Sequence, residues 1–330
     1  MLKKYTQWEY WPASMIYLPL VPYGLYLALK AKSFGFFSAV NPALEGSGNG
    51  MESKFKTLQL LPKKNRPKTV FIPEKEHIST VLEKIKSMEL LFPLIIKPDI
   101  GFRGLLVKKI NSEIELRDYL NKYNSINLII QEYIDAENEC GILYFRVPKE
   151  KKGVISSITQ KKYPAVFGDG KSRLLELIES DQRTKIYLKI ITELNKSLLD
   201  SIPDNNEKVI LSTIGNHSKG TQFINGNHLI SNELQHYFDK FCDRIEGWNY
   251  GRFDIKYSNF QDLIENDNFK IIELNGIISE PTHIYDASKG NYFDALKSIK
   301  YHWKVLFKIG RANHQLYQTR YTDFKYFIQL

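Results

Sequence analysis

The chain has 330 residues, 43% hydrophobic and 25% charged, a make-up that argues against an intrinsically disordered polypeptide. Its two cysteines, Cys140 and Cys242, lack CxxC or Cys/His spacing, which argues against a disulfide scaffold or a zinc site and fits a reducing, cytoplasmic setting. The net charge of +9 is carried by the ends: residues 1–32 hold four lysines against Glu9, residues 289–330 hold eight Lys/Arg against Asp294 and Asp323, and the middle is neutral. Basic ends mixed with aromatic residues suit an anionic membrane surface, with no nucleic acid expected, or form a solubilising excess.

In chain order, Pro12 to Leu29 comes first, 18 residues without a charge between Lys3, Lys4 and Lys30, Lys32. A straight membrane span wants about 20 apolar residues, and Pro19, Pro22 and Gly24 interrupt this run. It reads as an interfacial or re-entrant anchor peripheral to the inner face of a membrane, or as a helix buried against the rest of the chain. A Gly/Asn/Ser-rich stretch and a helical pattern ended by Pro62 complete a segment and linker over residues 1–68. From Thr69 strands and helices alternate. "TVFIP", "PLIIKP", "LLVKKI", "LIIQEYI" and "GILYFRVP" are the strands, and "EHISTVLEKIKSMELL" and "NSEIELRDYLNKY" the helices. A single long helix is expected over residues 172–199, capped by Ser172. The pattern is α+β with antiparallel hairpins, divided as a small unit over 69–140 with a glycine-hairpin lid and a large unit over 141–330 with a basic tail.

The run from Gly251 to Gly276 pairs two strand-like stretches around a polar loop. Period-two alternation puts Arg252 and Asp254 on one face of the first strand, and Ile271, Glu273 and Asn275 on one face of the second. Carboxylates on a half-buried sheet face need a cation, either Mg2+ held by oxygen ligands or a structural partner such as Arg252. Upstream, "PLIIKPDIGFRGLLVKKI" joins a strand ending at Lys97 to a second strand through Gly101 and Gly104, and glycines of this kind let a backbone approach a phosphate. It is not a Walker A sequence. Glu132 and Glu139 lie seven apart across a turn, as ribose-binding or adenine-facing acids or as solvent-exposed ones.

This ordered set, Lys97-Pro98 with its glycine loop, "QEYI" with Glu132 and Glu139, Arg252-x-Asp254 and Glu273-x-Asn275, resembles the ATP-grasp ligases over roughly residues 54–285. The likeness is greatest to the D-alanine–D-alanine ligase and cyanophycin synthetase branch. It implies two α+β subdomains clasping ATP and a carboxylate substrate activated as an acyl phosphate, then joined to an amine with release of ADP and phosphate. It further implies that Lys54 and Lys97 bind phosphates, with Gly101 and Gly104 in the loop over them. Tyr133 and Ile134 would meet adenine, with Glu132 beside them and Glu139 on the ribose. Asp254, Glu273 and Asn275 would hold Mg2+, as two ions bridged by Glu273. Arg252 and Lys161 would serve the transferring phosphoryl group. His217, Glu280 and His283 lie where substrate residues are expected, the histidines being equally readable as hydrogen-bonded core groups. "DIGFRG" and "SEPTH" depart from the dipeptide ligases, and so does the short apolar N-terminal segment. A kinase-like ATP-grasp phosphotransferase and a membrane-associated, non-catalytic adaptor are the alternative readings. The identity of the small-molecule or lipid-linked substrates and the oligomeric state stay open.

Overall fold

The structure is a computed structural model that describes residues 7–101, 104–265 and 267–322. Lys3, Lys4, Phe102, Arg103 and the last eight residues of the basic tail lie outside them. After a 3-10 turn at Trp8–Tyr10, two short helical turns, Ser14–Tyr17 and Leu18–Leu20, run into helix α1 (Val21–Ala31). Pro19 and Pro22 sit in first turns, where no intrahelical N–H is needed, so they phase the helix rather than break it. Ser53 then caps α2 (Lys54–Gln59), its hydroxyl accepting from the Lys56 amide at 3.1 Å.

The first sheet uses β1 (Thr69–Ile72), β2 (Leu94–Pro98), β3 (Lys108–Ile110) and β4 (Leu128–Glu132), with α3 (Ile78–Ser87) between β1 and β2 and α4 (Glu113–Tyr123) between β3 and β4. Its order is β1-β4-β2-β3, antiparallel throughout. Strand alternation divides its faces: Leu94, Ile96 and Ile130 pack with Val81, Ile85, Leu116 and Leu120 of the helices, so Ile95 and Lys97 point the other way.

The second sheet follows, with β5 (Asn138–Phe145) and β6 (Val154–Lys162), then a small β7 (Ala165–Phe167) and β8 (Lys208–Ile210) ribbon flanking α5 (Leu174–Ser180) and α6 (Leu188–Leu194). After β9 (Gln222–Asn225) and α7 (Asn232–Cys242) come β10 (Tyr250–Tyr257), β11 (Phe269–Leu274) and the long α8 (Tyr292–Tyr317). The sheet order is β11-β10-β5-β6-β9. Cys140, Ile142, Tyr144, Phe253 and Ile255 face α7, where Leu234, Phe238 and Phe241 close the main core. The opposite face is split. At one end Leu143, Phe145 and Tyr250 pack under Val305, Leu306 and Ile309 of α8, and at the other end the same strands carry Glu139, Arg252 and Asp254.

Two expectations change. Residues 172–199 do not form one helix, because Asp181 is extended and its carboxylate accepts from the amides of Arg183 (3.0 Å) and Thr184 (2.8 Å), which ends α5 and starts a new turn. The Ser172 hydroxyl donates to Asp169 of the preceding turn, and Arg173 takes the cap position. Ile271 and Glu273 do not share a face either. The β10/β11 register runs Asp254↔Glu273 and then Ile255↔Ile271, which leaves Ile272 as a bulge. The extra residue flips the alternation, so Ile271 and Leu274 both enter the core while Ile272 and Glu273 turn to the opposite side.

The apolar N-terminal segment has one face against α8. Ile16 and Leu20 pack with Ala295 and Ile299, and Leu27 and Ala28 with Phe36 and Phe307. Among the described residues no helix is long and apolar enough to cross a membrane. Asn41, fully buried just beyond this segment, fastens it to the large sheet. Its amide donates to the carbonyls of Ser47 (3.0 Å) and Tyr250 (2.8 Å) and accepts from the amides of Asn249 (2.8 Å) and Tyr250 (3.0 Å).

Candidate active site

A cleft of about 1480 Å3 lies between the two sheets and takes its walls from both, from α2 and from the N-terminal segment. Period-two alternation explains its charged wall: Lys97 in β2, and Arg252, Asp254 and Lys256 in β10, all point away from their cores into it. Lys161 at the end of β6 is its centre. The ammonium stands 2.6 Å from Glu139 Oε1 and 3.0 Å from Asp254 Oδ1, in a site almost closed to solvent. Arg252 Nε reaches Asp254 Oδ1 at 3.1 Å, Asn275 Nδ2 reaches Asp254 Oδ2 at 3.2 Å, and the Tyr163 hydroxyl donates to Glu139 Oε2. Lys256 lies 3.9 Å from the same carboxylate.

Burial alone would neutralise these groups, and their pairing reverses it. Burial opposes the charge on Lys161, but Asp254 and Glu139 overcome it and raise the ammonium above the ordinary lysine range. Burial would likewise raise Asp254, yet Arg252 and Lys161 hold it at about 2. Lys97 differs. Burial lowers its pKa, and Glu273, Asp254 and Glu139 offset this only in part. Its Nζ donates to the carbonyl of Ile272 at 3.2 Å, so the bulge in β11 is where the small sheet's lysine meets the large sheet. Lys54 donates to the carbonyl of Gly101 at 3.1 Å, and Gly101 and Gly104 both have positive φ, at 66° and 80°. Phe102 and Arg103, at the tip of the expected lid, lie outside the described residues.

At the other wall Lys109 Nζ stands 3.8 Å over the Tyr133 ring, and Lys270 lies 3.7 Å from Glu132; Tyr133 and Ile134 line the cleft beside Ile95 and Val107. His217 also lines it, Nε2 being 3.3 Å from Glu9 and Nδ1 3.4 Å from the Tyr187 hydroxyl. Glu280 accepts from the hydroxyls of Tyr17 and, at 2.6 Å, Tyr285. His283 turns elsewhere, to Ser157 Oγ at 2.7 Å, and burial lowers its pKa. Sequence reasoning missed Lys256, which continues the 252/254 alternation and was findable that way. It also missed Tyr163, Glu52, Glu9 and Tyr17, which reach the cleft or its network through tertiary packing and have no local signal.

The donor set fits a hard cation. Asp254 and Glu273 are direct partners across the hairpin, Asn275 adds a carboxamide beside Asp254, and the set contains no sulfur or imidazole. Among the described residues no group of three Asp, Glu, His or Cys is already gathered as a metal cage. Two carboxylates with few protein ligands suit an ion that keeps water and substrate oxygens, as Mg2+ does.

The family model of the RimK-like ATP-grasp domain matches residues 51–225, more than half of the chain. The chain belongs to this family. The match takes in Lys54, Lys97, Glu139 and Lys161, while Arg252, Asp254, Glu273 and Asn275, which line the same cleft, lie beyond it. Similar solved structures include the VanG D-Ala:D-Ser ligase from Enterococcus faecalis, at 14% identity and TM-score 0.43, covering 78% of this chain and 61% of that one. A D-alanine–D-alanine ligase from Bacillus anthracis (16%, TM-score 0.41) covers 78% of this chain and 68% of that one. A bifunctional glutathione synthetase from Pasteurella multocida (14%, TM-score 0.39) covers 80% and 38%. The chain thus spans about three-fifths of the length of the VanG structure. No curated protein matches it.

Proposed function

We propose that this ATP-grasp protein is a ligase that activates a substrate carboxylate as an acyl phosphate and joins it to an amine, releasing ADP and phosphate. The observation that carries the reading is the convergence, in one cleft, of Lys97 from the small sheet with Lys161, Arg252, Asp254 and Glu273 from the large one. Positioning and charge neutralisation dominate phosphoryl transfer, and this is what a buried, paired set of cations offers.

In this reading Lys54 and Lys97 hold the ATP phosphates beside the Gly101 and Gly104 loop, and Tyr133 and Ile134 border the adenine with Glu132 at the rim. Glu139 serves the ribose end while keeping Lys161 in place. Asp254, Glu273 and Asn275 would hold Mg2+, one ion or two, which when bound offsets charge on the phosphates. Arg252, fixed by Asp254, steadies the transferring group. Glu280 and His217 lie at the substrate end, where Trp11, Ile16 and Tyr17 add apolar surface suited to small-molecule or lipid-linked acids and amines. His283, bonded to Ser157, is assigned no contact with substrate.

The test is ADP release against panels of amino acids, hydroxy acids and lipidic amines, with hydroxylamine as trap and mass spectrometry as readout. A hydroxamate is expected. ADP release that yields only a phosphate ester would replace the ligase with a kinase-like enzyme.

A further inference from the structure

We propose that the outer face of the N-terminal helical segment, with the lysine-bearing edge of α8, docks on an anionic lipid bilayer. The segment is apolar all round but is covered on one side only. Ile16, Leu20, Leu27 and Ala28 are buried, whereas Met15, Leu18, Pro22, Leu25 and Leu29 are exposed at a spacing of three or four residues along the successive helical turns, with Val21 and Tyr26 exposed beside them. Leu18 is 65% and Leu29 74% exposed, and no charge interrupts the face from Pro12 to Leu29. Apolar side chains scattered singly need no explanation, but an ordered stripe of them marks an interaction surface.

Charge selects the occupant. Along α8, Lys297, Lys300, Lys304, Lys308 and Arg311 are exposed and recur at intervals of three or four, so they form a second stripe. Lys300 Nζ lies 4.9 Å over the Tyr23 ring, and Lys30 Nζ lies 5.9 Å from Tyr26 and 5.8 Å from Phe307, so the basic stripe borders α1. Asp294, at 3.5 Å from Lys297, is the acid paired with this row. An apolar strip beside a row of cations, with Tyr26 exposed at the border, matches the boundary between acyl chains and anionic headgroups. The segment is too short and too interrupted to cross, so it lies in the interface.

The full chain is sedimented with phosphatidylcholine vesicles, with and without phosphatidylglycerol. Binding is expected only with phosphatidylglycerol present, and it should weaken as salt is raised. Leu25→Asp/Leu29→Asp and, separately, Lys300→Glu/Lys304→Glu should each lower partitioning by about tenfold or more. Circular dichroism and the melting midpoint of the lysine variant, altered only at exposed sites, show whether the fold persists. The proposal is overturned by absent binding, by equal binding to neutral vesicles, or by undiminished binding of either folded variant. A dimer in sedimentation velocity that Leu25→Asp/Leu29→Asp dissociates, with no vesicle binding, would assign the face to a second copy instead.

Discussion

The Lys97 ammonium donates to the carbonyl of Ile272 at 3.2 Å, joining the small sheet to the one bulged residue in the β10/β11 pairing. Burial lowers the pKa of Lys97, so its charge is less secure than that of Lys161, and a bound phosphate would restore it. Nucleotide affinity should therefore fall as pH rises through a pKa below the ordinary lysine value of about 10.4. Titration calorimetry across alkaline pH measures this. Lys97→Arg, which stays charged, should bind with little dependence in that range; an equal loss in both proteins would remove Lys97 from the phosphate site.

Asp254 and Glu273 face each other across the hairpin but differ in surroundings, and this separates two variants. Glu273→Gln should cut ADP release by about a hundredfold or more with little change in stability, since among the described residues no direct ion pair to its carboxylate is formed. Asp254→Asn should lose activity and also cost about 3 kcal/mol, because Lys161 and Arg252 lose a buried partner. Turnover and urea denaturation on both proteins decide it, and full activity in either would remove that residue from the proposed metal set.

Gly141 pairs with Asp254 in the β5/β10 register, and a Cβ there would lie 2.8 Å from Arg252 Cδ and 3.3 Å from Asp254 Oδ1. Gly141→Val should displace the guanidinium, lowering turnover strongly while costing about 1–3 kcal/mol. Wild-type turnover in a folded Gly141→Val protein would show that the placement of Arg252 does not matter.

Asn41 tests the attachment of the N-terminal segment. Asn41→Ala leaves two backbone amides and two carbonyls without this partner in a fully buried place, and should destabilise by about 2–4 kcal/mol in urea. A loss below about 0.5 kcal/mol would mean that water or neighbouring groups replace it.

His302, on the buried face of α8 and 3.1 Å from the Tyr250 hydroxyl, is held near a pKa of about 3 by burial and then by His283. Its unfolded value is about 6.5, so the unfolded chain takes the proton first. The contribution is whole above pH 6.5 and is lost as pH falls from there toward 3. His302→Phe should show a shallower decline in melting midpoint between pH 7 and pH 5 than the unaltered protein. Parallel curves would count against this.

Much of the site was legible because a strand has a fixed period. The spacing of Arg252 and Asp254 puts both in the cleft, and the same rule exposes Lys97 there. It failed at Ile272, since a bulge inserts one residue without a sequence mark and so moves Ile271 into the core. It failed again at Asp181, where a side-chain carboxylate took the amides a continuous helix would have used. The ion network around Lys161 was only half readable. Tyr163, which bonds its Glu139, depends on how β6 ends, and elsewhere in the cleft Glu9 and Tyr17 reach His217 and Glu280 from a segment far away in the chain. The two faces of Pro12 to Leu29, one covered and one bare, follow from where α8 lies, which composition does not encode.

The split face of the large sheet limits how its strands can vary in length. Inserting or deleting one residue within β10 would send Arg252 and Asp254 toward α7 and deliver Phe253 and Ile255 to the cleft. Hydrophobic interior and charged machinery would be ruined by the same slip, so a length change of one residue in this strand can persist only where a bulge absorbs it, as at Ile272 in β11.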